Sequence, residues 1–315
     1  MRFAVYDIGS NSIKFLVAEK TASGSFLVLA EESKTTRLAE DLIASCELKE
    51  GAIARTLAAL REMSRKAAAL GVPADPVHCR AVATSAVRDS RNRKVFLREA
   101  AAVLGFPVTL LTGEEEAEGV YRGIRSEGAF SEGDVLGIDV GGGSAEWILG
   151  EHGKIARRVS LPLGCVRLRE RFIPGYPVSA PALAAMGQAL EEQLAPVLAP
   201  YSAERGRRPV VGTGGTITAA AAIALALQKY DPAKVHLHVL PLSHIEEEIA
   251  RFAALDSTSL RHVTGLPPKR ADILVPGLAV FRASLRLLGA DRITVSVRGL
   301  RYGVLEALAD AVPSP

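Results

Sequence analysis

Residues 137–146 read Gly-Ile-Asp-Val-Gly-Gly-Gly-Ser-Ala-Glu, an acidic, glycine-rich turn between two apolar runs. Glycine has no Cβ, so backbone amides in such a turn can approach an anion closely and adopt positive φ. Asp139 and Glu146 add the hard carboxylate oxygens that Mg²⁺ prefers. Taken alone, a Gly-Gly-Gly-Ser run between strands is more typical of a hairpin or a flexible loop. The segment therefore predicts a phosphate and metal site only where the rest of the chain supports it.

The beginning of the chain repeats this pattern. Ala4-Val5-Tyr6-Asp7-Ile8-Gly9-Ser10 is also an apolar run that ends in Asp, an aliphatic residue and Gly. Asp139 follows Asp7 by 132 positions, so each copy opens a half of similar length. Two strand-first halves with the same opening predict a duplicated α/β domain.

The composition is that of an ordinary globular protein. The chain has 315 residues, of which 48% are hydrophobic and 23% charged, and its net charge is +3. These values argue against a disordered, membrane or nucleic-acid-binding chain, and the length predicts two domains. Arginine binds phosphate oxygens bidentately, so the arginine clusters indicate either a polyanionic ligand or a solvated basic face. The clusters are Arg88/Arg91/Arg93, Arg157/Arg158, Arg167/Arg169/Arg171 and Arg205/Arg207/Arg208.

Neither the cysteines nor the apolar runs indicate export or a membrane. Cys46, Cys79 and Cys165 lie far apart, without the paired spacing of a metal site or disulfide framework, which fits a reducing compartment. The N-terminus reaches Asp7 before a long apolar stretch forms, so no secretory signal is expected. The longest apolar run, Ala219 to Leu227, is too short for a membrane span. We expect a cytoplasmic protein with no membrane partner.

Two parts of the first half carry candidate phosphate ligands. The turn Gly9-Ser10-Asn11-Ser12 offers hydroxyl, amide and backbone donors, and Lys14 follows as a cation, although Asn and Ser suit a plain hairpin turn equally well. Arg88 lies where a predicted strand meets the next helix. Positive charge is unfavourable at a helix N-terminus. An arginine at this position is therefore somewhat more typical of a residue that faces a ligand than of an ordinary surface residue of the helix.

The helix that follows residue 111 begins with three glutamates that have different predicted tasks. Thr112 and Glu115 have the spacing of a capping box. Glu116 lies four residues before Val120 and eight before Ile124, so its carboxylate is expected on the inward face of the helix. An inward carboxylate at a helix start is a candidate general base, although a plain first-turn acid is the commoner case.

In the second half, a glycine-rich segment connects a predicted buried strand to an apolar helix: Gly212-Thr213-Gly214-Gly215-Thr216. Backbone amides at such a junction can hold a phosphate, and the alternative is close packing of the helix on the strand. The segment lacks the Lys-Ser/Thr of a P-loop and the full spacing of a dinucleotide fingerprint.

Three further predictions concern structure alone. Residues 123–133 are rich in glycine, serine and acids, and they are predicted to form the crossing between the domains and its hinge. A helix over residues 179–198 is expected to end before Pro200. His236 and His238 alternate with apolar residues, which places them on a strand as structural residues without a metal set.

Several segments together resemble the exopolyphosphatase and guanosine pentaphosphate phosphatase (Ppx/GppA) family over nearly the whole chain. Each segment is a weak match by itself, but their order and spacing are specific. They are Asp7-Ile8-Gly9-Ser10-Asn11-Ser12, Ala83-Thr84-Ser85-Ala86-Val87-Arg88, Gly113-Glu114-Glu115-Glu116-Ala117, Asp139-Val140-Gly141-Gly142-Gly143-Ser144-Ala145-Glu146, Gly212-Thr213-Gly214-Gly215-Thr216, Leu274-Val275-Pro276-Gly277-Leu278-Ala279 and Gly299-Leu300-Arg301.

The resemblance implies the actin-like fold of the superfamily of sugar kinases, actin and heat-shock chaperone ATPases. That fold has two duplicated α/β domains of the ribonuclease H-like type with a cleft between them, and domain closure is expected to gate the reaction. Domain I is predicted as residues 1–125 plus 300–315, and domain II as residues 126–299. We expect a short form without the added C-terminal domains of longer members, and a homodimer is an option that the sequence leaves open.

The resemblance also implies a role for individual residues. Glu116 would activate the attacking water, and Asp139 and Glu146 would hold or orient Mg²⁺. Family members often carry arginine at the position of Lys14. Lysine has a single ammonium charge in place of the planar guanidinium, which can bind two oxygens at once. The implied phosphate-binding residues are Asp7, Gly9, Ser10, Asn11, Ser12, Lys14, Arg88, Gly142, Gly143, Ser144, Gly212, Thr213, Gly214, Gly215, Thr216 and Arg270.

The implied activity is Mg²⁺-dependent hydrolysis that releases terminal orthophosphate from inorganic polyphosphate or guanosine pentaphosphate, the latter in the stringent response. Positioned amides, arginines, a metal and one carboxylate are sufficient for such a reaction. One alternative on the same fold is an ATP-dependent kinase or ATPase, for which we identify no acceptor site. Another is a non-catalytic sensor of polyphosphate or guanosine tetraphosphate, which the retained Glu116, Asp139 and Glu146 disfavour.

The C-terminal segment departs from the family. Val297-Arg298 and Tyr302 stand where members commonly carry acids, so this end of the chain is more basic. Either the substrate contacts differ here, or those acids are not part of the chemistry.

Overall fold

The computed structural model describes residues 1–126, 128–202 and 208–312. The chain divides into two compact units, one formed by Met1–Glu127 with Arg298–Pro315 and the other by Gly128–Val297. Each unit is built on its own β-sheet. Among the described residues, every helix is too short or too polar to cross a lipid bilayer.

The first unit contains five strands and six helices in its described part. The strands are β1 (Arg2–Ile8), β2 (Ser12–Lys20), β3 (Phe26–Thr35), β4 (Cys79–Ala83) and β5 (Val108–Leu110). The helices are α1 (Leu42–Ser45), α2 (Glu50–Ala69), α3 (Ser85–Arg88), α4 (Arg93–Leu104), α5 (Gly113–Arg125) and, from the end of the chain, α13 (Leu300–Asp310). The sheet order is β3-β2-β1-β4-β5, with β1, β4 and β5 parallel and the β1–β2 and β2–β3 pairs antiparallel. The carboxyl ends of the three parallel strands therefore meet at one edge of the sheet.

Helices α5 and α13 pack at unusually short range through glycine. A Cβ on Gly123 would lie 2.1 Å from the Gly299 carbonyl oxygen, and one on Gly303 would lie 1.9 Å from the Gly119 carbonyl oxygen. Gly123 is thus a packing residue inside α5. The predicted crossing over residues 123–133 is wrong at its start, because the helix continues to Arg125 to make this contact.

The second unit contains six strands and seven helices in its described part. The strands are β6 (Val135–Val140), β7 (Ala145–Glu151), β8 (Lys154–Leu161), β9 (Val210–Thr213), β10 (Val239–Pro241) and β11 (Arg292–Val295). The helices are α6 (Cys165–Phe172), α7 (Ala180–Ser202), α8 (Gly215–Ala224), α9 (Pro232–Val235), α10 (Leu242–Ala253), α11 (Ser257–Arg261) and α12 (Ala271–Leu288), with 3₁₀ turns at Gly128–Phe130 and Pro268–Arg270. The sheet order is β10-β11-β9-β6-β7-β8, in which β6, β9 and β11 are parallel.

The two units open with the same hairpin. In the first, the Gly9 amide donates to the Ser12 carbonyl oxygen at 3.2 Å, and in the second the Gly141 amide donates to the Ser144 carbonyl oxygen at 3.0 Å. Strands β1 and β6 are buried along almost their whole length, as expected for strands covered on both faces. The predicted duplication of an α/β domain is confirmed.

Helix α7 extends further than predicted. It continues to Ser202 with Pro196 and Pro200 inside it. Each proline removes one backbone donor, but Leu194 and Leu198 remain buried in the core on the inward face, which holds the helix in place. The predicted end before Pro200 is therefore wrong.

The predicted strand around His236 and His238 is also wrong. Helix α9 ends at Val235, Leu237 has a left-handed φ of 63°, and strand β10 begins only after His238. The cause is local, because the Asp231 side chain accepts a hydrogen bond from the Ala233 amide and starts a helical turn.

Candidate active site

Three loops of the first unit lie together at the carboxyl edge of its sheet. The Thr84 amide donates to the Ile8 carbonyl oxygen at 3.3 Å, and the Leu111 amide donates to the Ala83 carbonyl oxygen at 2.9 Å. The ends of β1, β4 and β5 are thus aligned. This edge carries the Gly9 turn, the start of α3 and the start of α5, and the carboxyl edge of parallel strands is where ligands of α/β proteins bind.

The backbone of the segment 36–39 holds the Gly9 turn. The Asn11 carbonyl oxygen accepts hydrogen bonds from the Thr36 and Arg37 amides at 3.1 and 2.9 Å, and the Ser10 carbonyl oxygen accepts one from Ala39 at 2.9 Å. In a trans peptide the N–H points away from the preceding C=O. The amides of Asn11 and Ser12 are therefore turned away from this segment. No pattern in the sequence indicated that residues 36–39 have this role.

Glu116, which is buried, and Arg88, which is partly exposed, form an ion pair at the same edge. Glu116 is 7% exposed, which confirms the predicted inward position, and the capping box of Thr112 and Glu115 is confirmed as well. Arg88 donates from Nη1 to Glu116 Oε2 at 3.2 Å and to the Leu111 carbonyl oxygen at 2.8 Å. The guanidinium favours a charged carboxylate, the form that a general base requires.

Asp7 and Lys14 face each other across the first hairpin. They are partners in the register of β1 and β2, and Lys14 Nζ lies 3.5 Å from Asp7 Oδ2. Asp7 is 4% exposed, and a buried carboxylate is stabilised by a nearby cation such as Lys14. Lys14 therefore has a structural partner in addition to its predicted contact with phosphate.

Asp139 and Glu146 occupy the matching positions of the second hairpin. They are directly paired in the register of β6 and β7, which puts both side chains on one face of the sheet. Asp139 is 6% exposed and Glu146 is fully buried. Ser160 donates a hydrogen bond from Oγ to Glu146 Oε1 at 2.7 Å and orients that carboxylate.

This carboxylate pair fits a magnesium ion. Two buried carboxylates on facing positions repel each other, and a divalent cation would offset that repulsion. No group of three or more His, Cys, Asp and Glu side chains within the described ranges could hold a metal. One or two carboxylates, completed by water and substrate phosphate, are the usual protein contribution to a Mg²⁺ site.

Helix α6 holds the glycine turn beside this pair. The Cys165 amide donates to the Gly141 carbonyl oxygen at 3.0 Å, and the Val166 amide donates to the Gly142 carbonyl oxygen at 2.9 Å. A Cβ on Gly164 would lie 2.3 Å from that same carbonyl, so only glycine allows this approach. The opposite N–H groups, those of residues 142–144, point away from α6. In the described part of the chain they donate to no backbone carbonyl, which suits an anion site.

The turn after β9 completes the site of the second unit. Gly214 has a φ of 96°, and a Cβ there would lie 2.4 Å from Asp139 Oδ1. A Cβ on Gly215 would lie 1.9 Å from Arg270 Nη1, so the guanidinium lies against the start of α8. Gly212 lies within β9, where the missing side chain leaves room for Ile293.

Cys165 connects the two turns of this unit. Burial raises the pKa of its thiol to about 11, against the smaller opposing effects of the Arg270 charge and a hydrogen bond with Thr216. The thiol thus has a hydrogen-bond partner in Thr216, at the start of α8. At this pKa the thiol stays neutral, so it acts as a packing and hydrogen-bonding group.

The structure thus gathers the predicted residues into two groups, one in each unit. The first unit brings together Asp7, Gly9, Ser10, Asn11, Ser12, Lys14, Arg88 and Glu116, and the second brings together Asp139, Glu146, Gly142, Gly143, Ser144, Thr213, Gly214, Gly215, Thr216 and Arg270. Arg167 stood out in the sequence only as part of a basic cluster, yet its Nε donates to the Gly143 carbonyl oxygen at 3.1 Å. No local pattern in the sequence indicates that contact.

The basic residues of the C-terminal segment have structural contacts. Arg298 donates from Nη1 to the Ser126 carbonyl oxygen at 2.9 Å, just after α5. Tyr302 donates from its hydroxyl to Glu31 Oε2 at 3.0 Å, and Arg301 pairs with the same carboxylate. Arg298 and Tyr302 therefore contribute to packing within the first unit.

Comparison with known proteins identifies similar relatives over nearly the full chain. Exopolyphosphatase 2 of Mycobacterium tuberculosis is 33% identical over 320 residues, which cover 98% of this chain and 98% of the relative. The guanosine-5'-triphosphate,3'-diphosphate pyrophosphatase of Aeromonas hydrophila is 32% identical over 97% of this chain, which spans 59% of that relative.

Solved structures show the same fold. A crystal structure of the Aquifex aeolicus member of the Ppx/GppA family matches with a TM-score of 0.81 at 30% identity, covering 99% of both chains. An exopolyphosphatase from Cytophaga hutchinsonii matches with a TM-score of 0.89 at 26% identity, also covering 99% of both chains. The predicted actin-like α/β fold is confirmed. Because residues 16–311 also match the sequence model of the Ppx/GppA phosphatase family, the chain belongs to that family.

Proposed function

We propose that this protein is a Mg²⁺-dependent hydrolase that releases terminal orthophosphate from inorganic polyphosphate or guanosine pentaphosphate. The observation that carries the proposal is the buried pair Asp139 and Glu146, which adjoins two turns rich in backbone amides. The relatives named above support either substrate, since a protein named for each is similar to this chain at nearly equal identity.

Each group of residues has a defined chemical task in this proposal. When bound, Mg²⁺ supplies positive charge that stabilises the phosphoryl oxygens as the phosphoanhydride breaks. Asp139 and Glu146 hold the ion, and the amides of residues 142–144 and 214–216 bind phosphate oxygens together with Arg270. Glu116 accepts a proton from the attacking water, and Arg88 holds it in its charged form.

The primary experiment measures orthophosphate release from three substrates. Long-chain polyphosphate, guanosine pentaphosphate and ATP are compared with Mg²⁺ and after its removal by chelation. We expect Mg²⁺-dependent release from at least one of the first two and little from ATP. Release from ATP alone would identify an ATPase, and tight binding of polyphosphate without release would identify a sensor.

A matched pair of variants tests the base. Glu116→Gln removes the proton acceptor from the buried position, and Glu114→Gln makes the same change on an exposed side chain in the same helical turn. General base catalysis contributes about 100- to 10,000-fold, so the Glu116 variant should lose at least about 100-fold in kcat while still binding polyphosphate. The Glu114 variant should stay near the native rate. Near-native turnover by Glu116→Gln would remove the base from the proposal.

A further inference from the structure

The two duplicated turns are held in different ways. In the first turn, the carbonyl oxygens of Ser10 and Asn11 accept hydrogen bonds from backbone amides of the segment 36–39. In the second, backbone amides of α6 bind the carbonyl oxygens of Gly141 and Gly142. The next carbonyl oxygen, that of Gly143, accepts from a side chain, Arg167 Nε, at 3.1 Å.

The two turns differ in the residues at their centres, and this difference explains why a side chain from outside holds the second turn. The first turn has Ser10 and Asn11 at its centre, and Asn11 donates from Nδ2 to Ser12 Oγ at 3.2 Å. The second has Gly142 and Gly143 at the same positions, and these residues have no side chain with which to restrain the backbone. Glycine populates more backbone conformations than any other residue, so a turn of glycines loses its shape unless it is held from outside.

We propose that Arg167 is a positioning residue for phosphate binding. By holding the Gly143 carbonyl oxygen, it fixes the peptide unit between Gly143 and Ser144, and the Ser144 amide on the opposite side stays directed at a substrate oxygen. Arg167 acts through the turn, and the Ser144 amide contacts the substrate. This inference rests on the proposed function, because it names a residue that supports the same site.

Two substitutions separate the hydrogen bond from the charge. Nε of arginine and Nε2 of glutamine are separated from Cβ by the same number of bonds, so Arg167→Gln can keep an N–H directed at Gly143 without the positive charge. Arg167→Met has a thioether in place of the guanidinium and cannot donate. Arg171→Met is the matched control, since Arg171 lies exposed on the same helix with its guanidinium 4.8 Å from the Phe172 ring.

The assay is the kcat and KM of orthophosphate release, with the thermal midpoint of unfolding for each variant. Removing one preorganised hydrogen-bond donor to an anion lowers kcat by about 100- to 1,000-fold. In Arg167→Met the donor, the Ser144 amide, is still present but is no longer held in place. We therefore expect a smaller fall in kcat, of about 10-fold. Arg167→Gln should retain activity within about 3-fold of the native rate, which rescues the defect by the same contact. Arg171→Met should match the native enzyme.

Two outcomes would overturn the inference. If Arg167→Gln loses as much activity as Arg167→Met, the charge is what matters and the positioning role is wrong. If Arg167→Met keeps the native kcat and KM, the contact has no role in turnover. Failure of the proposed function is recognised separately, because the native protein would then release no orthophosphate from either polyanion.

Discussion

Gly214→Ala tests whether the turn after β9 and the carboxylate pair form one site. A Cβ on Gly214 would lie 2.4 Å from Asp139 Oδ1 and 2.9 Å from the Val140 carbonyl oxygen, whereas ordinary contacts begin at 3.4 Å. The carboxylate oxygen must therefore retreat by about 1 Å, and a misplacement of about 1 Å can cost about 100-fold in rate. Gly214 combines a φ of 96° with a ψ of 169°, a backbone region essentially restricted to glycine, so a residue with a Cβ there also costs about 1–3 kcal/mol in stability.

Gly24→Ala is the control for that backbone strain. Gly24 has a φ of 83°, and a Cβ there would have no heavy atom within 4 Å. Gly24→Ala therefore measures the cost of a positive φ without a steric clash, whereas Gly214→Ala should lose more stability and also displace the carboxylate. The measurement is kcat for orthophosphate release over a Mg²⁺ titration, together with the thermal midpoint of unfolding.

We expect Gly214→Ala to need a higher Mg²⁺ concentration and to have a kcat about 100-fold below the native value. Gly24→Ala should keep the native kcat and the native Mg²⁺ requirement. A folded Gly214→Ala protein with native kcat and an unchanged Mg²⁺ requirement would refute the reasoning. Asp139 would then not hold the ion in the position that the structure gives it.

Three further predictions use other contacts. Arg88→Met removes the cation beside Glu116, and kcat at saturating substrate should fall at least about 10-fold. Burial raises the pKa of Glu248 from 4.5 to about 7. Between these two pH values the folded protein keeps a proton that the unfolded chain releases. The free energy of unfolding should therefore fall by up to about 3 kcal/mol as pH rises from about 4.5 to 7, and this contribution should stay constant above that pH. Glu248→Gln should lack this component of the pH dependence in thermal unfolding. Tyr302→Phe removes the hydrogen bond to Glu31 and should cost about 1–2 kcal/mol of stability with kcat unchanged, as unfolding and turnover assays will show.

Local patterns predicted the features that depend on neighbours in the sequence. The capping box of Thr112 and Glu115 and the inward position of Glu116 follow from helical periodicity, and both are confirmed. Register across a hairpin is equally local. Asp139 and Glu146 flank one short turn, which sets them opposite each other.

Predictions failed where distant packing or turn chemistry outweighed a local signal. Glycine and serine at residues 123–133 suggested a linker, but Gly123 stays in α5 because α13 approaches there without room for a Cβ. Alternation around His236 suggested a strand, but the Asp231 cap starts a helical turn instead. Pro200 suggested a helix end, yet the buried leucines of α7 keep that helix on the core.

The sequence by itself determined the duplicated strand-and-turn units, the types of ligand atom that they carry and the face of α5 on which Glu116 lies. Only the tertiary structure decided which distant segments support those atoms. Arg88 contacts Glu116, the Gly214 turn adjoins Asp139, and Arg167 holds Gly143. These contacts depend on the order in which parallel strands and their crossover helices assemble, and that order is set by packing of the whole unit rather than by any short run of residues.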